Sequence, residues 1–235
     1  YGTTALIWAA ANDHRDCVQS LIAAPDIDVN ATNSYGSTAL ICAATNGHND
    51  CVKSLLVVHD IDVNAADKYG MTALIAAACL DHSDCVQSLL AAPGVDVNAA
   101  DKYGKTALIW AARRGHNDCV QSLLAAPGVD VNATTNFGTT ALIYAADNVH
   151  KDCVQSLLAA PGIDVNVADK FGTTALIWAA RRCHKDCVKS LLAAPGIDVN
   201  ATNERGMTAL ILAARGGHVG CTKLLVAAPG NDVNA

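Results

Sequence analysis

Aromatic residues, cations and long apolar runs are scarce in this sequence, and each shortage excludes a class of protein. Aromatics make up 4% of a chain that is 51% hydrophobic, so its core must consist of Ala, Leu, Val, Ile and Cys. Apolar runs such as residues 174–180 are far shorter than the roughly 20 residues of a membrane-spanning helix. The net charge of -6 argues against general nucleic-acid binding, which needs clustered Lys and Arg. We therefore expect neither a membrane partner nor a nucleic-acid partner.

No part of the chain lies outside a repeat with a period of 34 residues. A fixed period of this size, without insertions, is typical of a stacked array whose units cannot bury their apolar faces alone. The chain begins without Met at a repeat boundary, so we expect it to be a piece of a longer protein. We predict one array over residues 1–235, with copies at 1–34, 35–68, 69–102, 103–136, 137–170, 171–204 and 205–235.

The copy at residues 103–136 predicts two helices and a loop. Thr106 is placed to cap a short first helix, within which small and apolar residues recur at helical spacing. Apolar residues within 119–124 predict a second helix with one buried stripe, and Pro127 ends it. The tail at 128–133 alternates apolar residues with Asp and Asn, which predicts a short extended segment and a turn.

These motifs resemble the ankyrin repeat over the whole chain. The resemblance implies an all-α solenoid of stacked helix-turn-helix units with projecting β-turn or hairpin loops, and a concave groove that binds other proteins. Two features depart from the family: Ala107 and Ile109 replace its Pro and His, and each copy is one residue longer. The matching segments in this copy are Gly-x-Thr-Ala-Leu at 104–108, Ala-Ala at 111–112, Gly-His at 115–116, Val-x-x-Leu-Leu at 120–124 and Asp-Val-Asn-Ala at 130–133.

A histidine and a cysteine three residues apart recur in every copy. This spacing can place two metal ligands on one helix face, but each copy offers only two. We therefore predict no metal site; the cysteine packs as a small hydrophobe and the histidine bonds the backbone at the helix junction. The cysteine series comprises Cys17, Cys51, Cys85, Cys119, Cys153, Cys187 and Cys221.

Disulfides within the cysteine series are excluded by distance. Neighbouring helices pack about 8–10 Å apart, whereas bridged Cα atoms lie within about 7 Å. We expect reduced thiols and therefore a reducing intracellular compartment. Cys42, Cys79 and Cys183 lie outside the series, and we expect them to be more exposed than its members.

Catalytic and calcium-binding interpretations are weaker than structural ones. His116 and Asp118 with Ser122 could suggest a triad, but these residues recur in most copies and an active site needs one asymmetric pocket. We predict no enzymatic activity and no cofactor. Residues 60–64 are similar to a calcium loop but lack its glycine and glutamate. By resemblance, Asn132, eight residues after a leucine, matches a site of asparagine hydroxylation in animal ankyrin proteins.

Positions that differ between copies carry the information about a partner. The eighth, eleventh and twelfth residues of each copy share one side of the first helix, and the resemblance places this side in the groove. Trp, Tyr and Arg, which are enriched at binding hot spots, concentrate there in copies four to six. The alternative is that the aromatics are packing residues and the arginines a solvated face. The predicted partner-binding residues are Lys105, Trp110, Arg113, Arg114, Tyr144, Asp147, Asn148, Trp178, Arg181 and Arg182.

Three functions fit these observations. The first is a non-enzymatic module that binds a protein or peptide, with an acidic segment facing the arginines. The second is a structural or spacer array without a dedicated partner, which the near-identity of copies three to six favours. The third is the binding portion of a larger multidomain protein or enzyme. Neither end carries a polar cap, so we expect a monomer or weak end-to-end association.

Overall fold

The computed structural model describes residues 2–234, which contain fourteen α-helices and no strand. Each 34-residue copy contributes a first and a second helix, so the all-α prediction is confirmed. Pairing of extended backbone within the described range is limited to three isolated bridges, one of which joins Ala66 to Thr72. The helices are α1 Ala5–Ala11, α2 Arg15–Ile22, α3 Ala39–Thr45, α4 Asn49–Leu56, α5 Ala73–Cys79, α6 Ser83–Leu90, α7 Ala107–Arg114, α8 Asn117–Leu124, α9 Ala141–Asp147, α10 Lys151–Leu158, α11 Ala175–Arg181, α12 Lys185–Leu192, α13 Ala209–Arg215 and α14 Val219–Val226.

Unit 1 is a compact body formed by the residues up to Ala111 together with Gln121–Val129. Within it, α1, α3 and α5 pack in series, as do α2, α4 and α6, and each first helix also packs on its own second helix. Leu55 and Leu89 of the second helices are 0% exposed. Their burial requires adjacent copies, as in other repeat arrays.

Unit 2 is a second compact body, formed by Ala112–Val120 and the chain from Asp130 onward. Helices α9, α11 and α13 pack in series, and so do α10, α12 and α14. Leu142 and Ile143 of α9 and Leu157 of α10 are among its fully buried side chains. None of the helices in residues 2–234 is long and apolar enough to span a bilayer.

A threonine begins the first helix of each copy. Thr106 Oγ1 accepts a hydrogen bond of 3.3 Å from Ile109 N, as its sequence position predicted. Thr140 and Thr174 do the same for α9 and α11 from an extended backbone. A cap of this kind contributes about 1 kcal/mol to stability, so the repeated threonine fixes where every first helix starts.

The copy tails contain the turn that their sequence predicted, but their alternating residues form no strand within residues 2–234. Asn132 N donates to Asp130 Oδ1 at 3.0 Å, which closes a local turn. The Asn132 side chain then donates to Gly162 O at 2.8 Å and accepts from Asp164 N at 2.9 Å. The Asp and Asn of the tail therefore join one loop to the next.

Gly115 stands where the two helices of copy four meet, and Gly115→Ala is expected to destabilise the fold. Its φ is +81°, and an added Cβ would lie 2.7 Å from Cε1 of His150. Alanine in this conformation costs about 1–2 kcal/mol. Displacing His150 also removes its 3.1 Å bond to Arg113 O, which adds about 1 kcal/mol.

Gly217→Ala is the matched control, because Gly217 has φ +68° but no atom within 4 Å of the added Cβ. Urea unfolding followed by circular dichroism should show a larger decrease in the free energy of unfolding for Gly115→Ala than for Gly217→Ala. Equal losses would mean that contact with the histidine contributes nothing.

Candidate partner-binding surface

In unit 2, two arginines lie over the ring of Trp178. The guanidinium carbons of Arg181 and Arg182 are 5.0 and 5.7 Å from the ring centroid, within the range of cation–π attraction. Trp178 Nε1 donates to Asp169 Oδ2 at 3.1 Å, so a buried carboxylate fixes the ring from below. Arg182 also pairs with Asp147 at 2.9 Å, whereas Arg181 is exposed beside the ring.

Two other sequence-predicted residues of unit 2, Arg113 and Asn148, contact Tyr144. The Arg113 guanidinium carbon is 5.5 Å from the Tyr144 ring centroid; Arg114, the next residue in the chain, is exposed. Asn148 Nδ2 donates to Tyr144 O at 2.9 Å. Asn148 therefore satisfies a carbonyl at the C-terminal end of α9 with its amide.

In unit 1 the sequence-predicted residues Lys105 and Trp110 are in contact. Lys105 Nζ lies 4.6 Å from the Trp110 ring centroid and 4.7 Å from that of Tyr103. Trp110 Nε1 donates to Asp101 Oδ2 at 3.0 Å. Trp110 is thus both a packing group, held by a buried aspartate, and a platform for cations, as Trp178 is.

A cavity of about 760 Å³ in unit 2 begins at Trp178 and Arg181 of copy six and continues along copy seven. Only Trp178 and Arg181 of the sequence-predicted set line it, and Arg205 and Arg215 bring further positive charge. The sequence contained a signal for both: Arg205 replaces the aromatic residue that opens every other copy, and Arg215 occupies the eleventh place, as Arg181 does. The remaining lining residues are Phe171, Thr173, Asn203, Glu204, Met207, Leu212 and Gly216.

A second cavity, of about 350 Å³, lies in unit 1 between copies two and three. Its walls include Tyr35, Ile41, Tyr69, Met71 and Leu80, and none of the sequence-predicted residues lines it. The third and twelfth places of copy three hold Met71 and Leu80, where every other copy except copy seven has a polar or charged residue. These substitutions make this cavity mainly apolar, in contrast to the arginine-lined cavity of unit 2.

The recurrent histidines bond the backbone of the preceding copy. His82 Nε2 lies 3.0 Å from Thr45 O, and His218 Nε2 lies 3.1 Å from Arg181 O. His184 uses Nδ1 instead, 2.8 Å from Ala146 O. These contacts agree with a structural role at the helix junction.

The cysteines of the series are buried except in copy one. Burial, aided by the Asp84 carboxylate, raises the pKa of the Cys85 thiol to about 11, which makes this group a poor nucleophile at neutral pH. One expectation was wrong: Cys17, in the first copy of the array, is exposed. Outside the series, Cys42 is half-buried, Cys183 is exposed and Cys79 is 8% exposed, so all three are more exposed than the six buried series members, as expected. Throughout residues 2–234, no group of three or more His, Cys, Asp or Glu could hold a metal ion.

Comparison with known proteins defines the family. A family model for ankyrin repeats matches three times, over residues 6–101, 90–169 and 157–235. The chain therefore belongs to the ankyrin repeat family, and its fold is an all-α ankyrin-repeat solenoid. Ankyrin repeat domains are generally non-enzymatic protein–protein interaction modules. No curated protein sequence is a significant match.

Two solved structures are similar over nearly the whole chain. The ankyrin repeat domain of Bcl-3, a member of the IkappaB protein family, is 27% identical with a TM-score of 0.84, covering 96% of this chain and 99% of that one. The human ASB11 ankyrin repeat domain is 28% identical with a TM-score of 0.79, covering 98% and 100%. Both are ankyrin repeat domains, which agrees with the family match.

Proposed function

We propose that the arginine-rich face of unit 2, which is formed by Arg181, Arg205 and Arg215, binds an acidic peptide segment of a partner protein. The cavity that contains Trp178, Arg181, Arg205 and Arg215 is the observation that carries this proposal. Three guanidinium groups and one carboxylate, that of Glu204, line it, although the whole chain has a net charge of -6. Positive charge is thus concentrated where the cavity is, and an acidic ligand is the complementary partner.

The chemistry of the lining residues suits carboxylate recognition. Arginine presents a planar fork of donors that binds a carboxylate through two parallel hydrogen bonds. The half-buried ring of Trp178 supplies a rigid apolar surface beside these donors, a combination common at binding hot spots. Binding that depends on exposed charges weakens as salt rises.

The other sequence-predicted residues of unit 2 are outer contacts of this site, namely Arg113, Arg114, Tyr144, Asp147, Asn148 and Arg182. Lys105 and Trp110, in unit 1, are partner-binding residues of their own unit. We further propose one array over residues 1–235, acting as a monomer or with weak end-to-end association, in a reducing intracellular compartment where its thiols stay reduced. We propose no catalytic residue, no cofactor and no nucleic-acid or membrane partner.

Selection from a phage-displayed library of random peptides tests the proposal and does not require the natural partner. One variant replaces Arg181, Arg205 and Arg215 by Ala. A control variant replaces Lys151, Lys185 and Lys189 by Ala, which changes the net charge equally but on the second helices. All three proteins must first show the same helical circular dichroism.

We expect the parent and the lysine control to enrich peptides that share an acidic motif, and the arginine variant to lose them. Peptides enriched equally by all three proteins would refute the arginine-lined site. A parent that enriches no peptide would instead favour a spacer array without a dedicated partner.

A further inference from the structure

The thirteenth residue of each copy stands in register with the series cysteine of the next copy, and once this residue is itself a cysteine. In unit 1, Cys51 Sγ donates a hydrogen bond of 3.6 Å to Asp13 Oδ1, across an interval of 38 residues. The same interval separates Cys183 from Cys221 in unit 2. There Cys183 stands where Asp13 stands in unit 1, so the shared register places two thiols of adjacent copies side by side. The neighbouring Cys183 also helps to raise the pKa of the Cys221 thiol.

The turn between the two helices of a copy directs the thirteenth side chain toward the next copy. Cys183 has φ 63° and Asp13 has φ 59°, so both adopt the same left-handed conformation. Cys183 is exposed, whereas Cys221 is buried. One thiol of this pair is therefore open to reagents in solution, and the other lies covered behind it.

We propose that Cys183 and Cys221 form a thiol–disulfide exchange site that low-molecular-weight disulfides such as oxidised glutathione convert into a covalent link between copies six and seven. The Cys183 thiolate attacks one sulfur of the small disulfide, forming a mixed disulfide and releasing one thiolate. Cys221, after losing its proton to solvent, attacks Cys183 Sγ and expels the second small thiolate. The protein loses two protons and two electrons, and the small disulfide, which gains them, becomes two thiols.

The order of these steps follows from the surroundings of the two thiols. Burial, together with the neighbouring Cys183, raises the pKa of Cys221 to about 11, and Lys185 opposes this only weakly. Cys221 is therefore protonated at neutral pH and shielded, so the exposed Cys183 reacts first. This site does not depend on peptide binding, although Cys183 directly follows Arg181 and Arg182 in the chain.

Peptide mass spectrometry tests the proposal on the folded, fully reduced chain. The protein is treated with oxidised glutathione, quenched in acid, alkylated in denaturant and digested with trypsin. Trypsin releases Cys183 in peptide 183–185 and Cys221 in peptide 216–223. We expect these two peptides to be joined, with the loss of two hydrogens. Persistent glutathione on Cys183 with alkylated Cys221, or alkylation of both, would overturn the proposal.

Two variants and one internal control sharpen this test. Cys187 is a buried series cysteine that stands in register with Val149 in the preceding copy, so it should remain alkylatable. Cys183→Gly removes the site while keeping a residue that copies two, four and seven already have at this place. Val149 has φ 67°, so Val149→Cys is expected to gain a second link, to Cys187. Failure of that variant to gain the link would overturn the geometric basis of the site.

Discussion

Leu157→Ala is expected to lower the free energy of unfolding by about 3 kcal/mol, the middle of the range for leucine in a closed core. Leu157 is 0% exposed on α10, a helix that packs on both α9 and α12. Removing three carbons there leaves a cavity between copies that the small neighbouring residues cannot fill. Leu158, the next residue of the same helix, is only half-buried, so Leu158→Ala should cost no more than about half as much.

Urea unfolding followed by circular dichroism compares these two substitutions under identical conditions. The dependence of the free energy on urea should be unchanged in both variants, which would show that the denatured states expose similar surface. Equal decreases in the free energy of unfolding for the two variants would contradict the assignment of Leu157 to the core between copies.

Trp178→Ala is expected to weaken binding of a selected acidic peptide by roughly 30-fold, which corresponds to about 2 kcal/mol for a hot-spot residue. The ring supplies the apolar floor of the cavity and supports the guanidinium group of Arg181, 5.0 Å from its centroid. Removing the ring would therefore take away its apolar contact with the peptide and leave the Arg181 guanidinium group less firmly placed. Affinity is measured by fluorescence anisotropy of the labelled peptide.

Trp8→Ala is the matched control for this prediction. Trp8 holds the same eighth place in copy one and is 61% exposed, but its copy carries Ala11 and Asn12 where copy six carries two arginines. We expect the affinity of Trp8→Ala to equal that of the parent. Equal weakening by both substitutions would mean that any aromatic residue at the eighth place suffices, and would contradict a site in the arginine-lined cavity.

Features set by local chemistry could be predicted from the sequence. Thr106 caps its helix because a hydroxyl three residues before a backbone N–H suffices, whatever surrounds it. The buried leucines follow from helical spacing, which repeats in every copy. The bond from the Asn132 side chain to the next loop was missed, because such a bond depends on a residue 30 positions away.

Features set by two adjacent copies were missed. The arginine-lined cavity joins Trp178 of copy six to Arg205 and Arg215 of copy seven, and only stacking brings them together. The exposure of Cys17 was likewise missed, because its position is buried in every later copy. The pairing of Cys183 with Cys221 combines one residue of the cysteine series with one outside it, so comparing equivalent positions did not reveal it.

Indole NMR signals of the three tryptophans offer the most direct test of the central claim, that the arginine-rich face of unit 2 binds an acidic peptide. Trp8, Trp110 and Trp178 each give one indole N–H resonance, assigned by single Trp→Phe substitutions. The selected acidic peptide is titrated into the ¹⁵N-labelled chain. We expect the Trp178 resonance to shift in a saturable way while the Trp8 resonance stays in place. Saturable binding that leaves the Trp178 resonance unmoved would contradict a peptide site on this face.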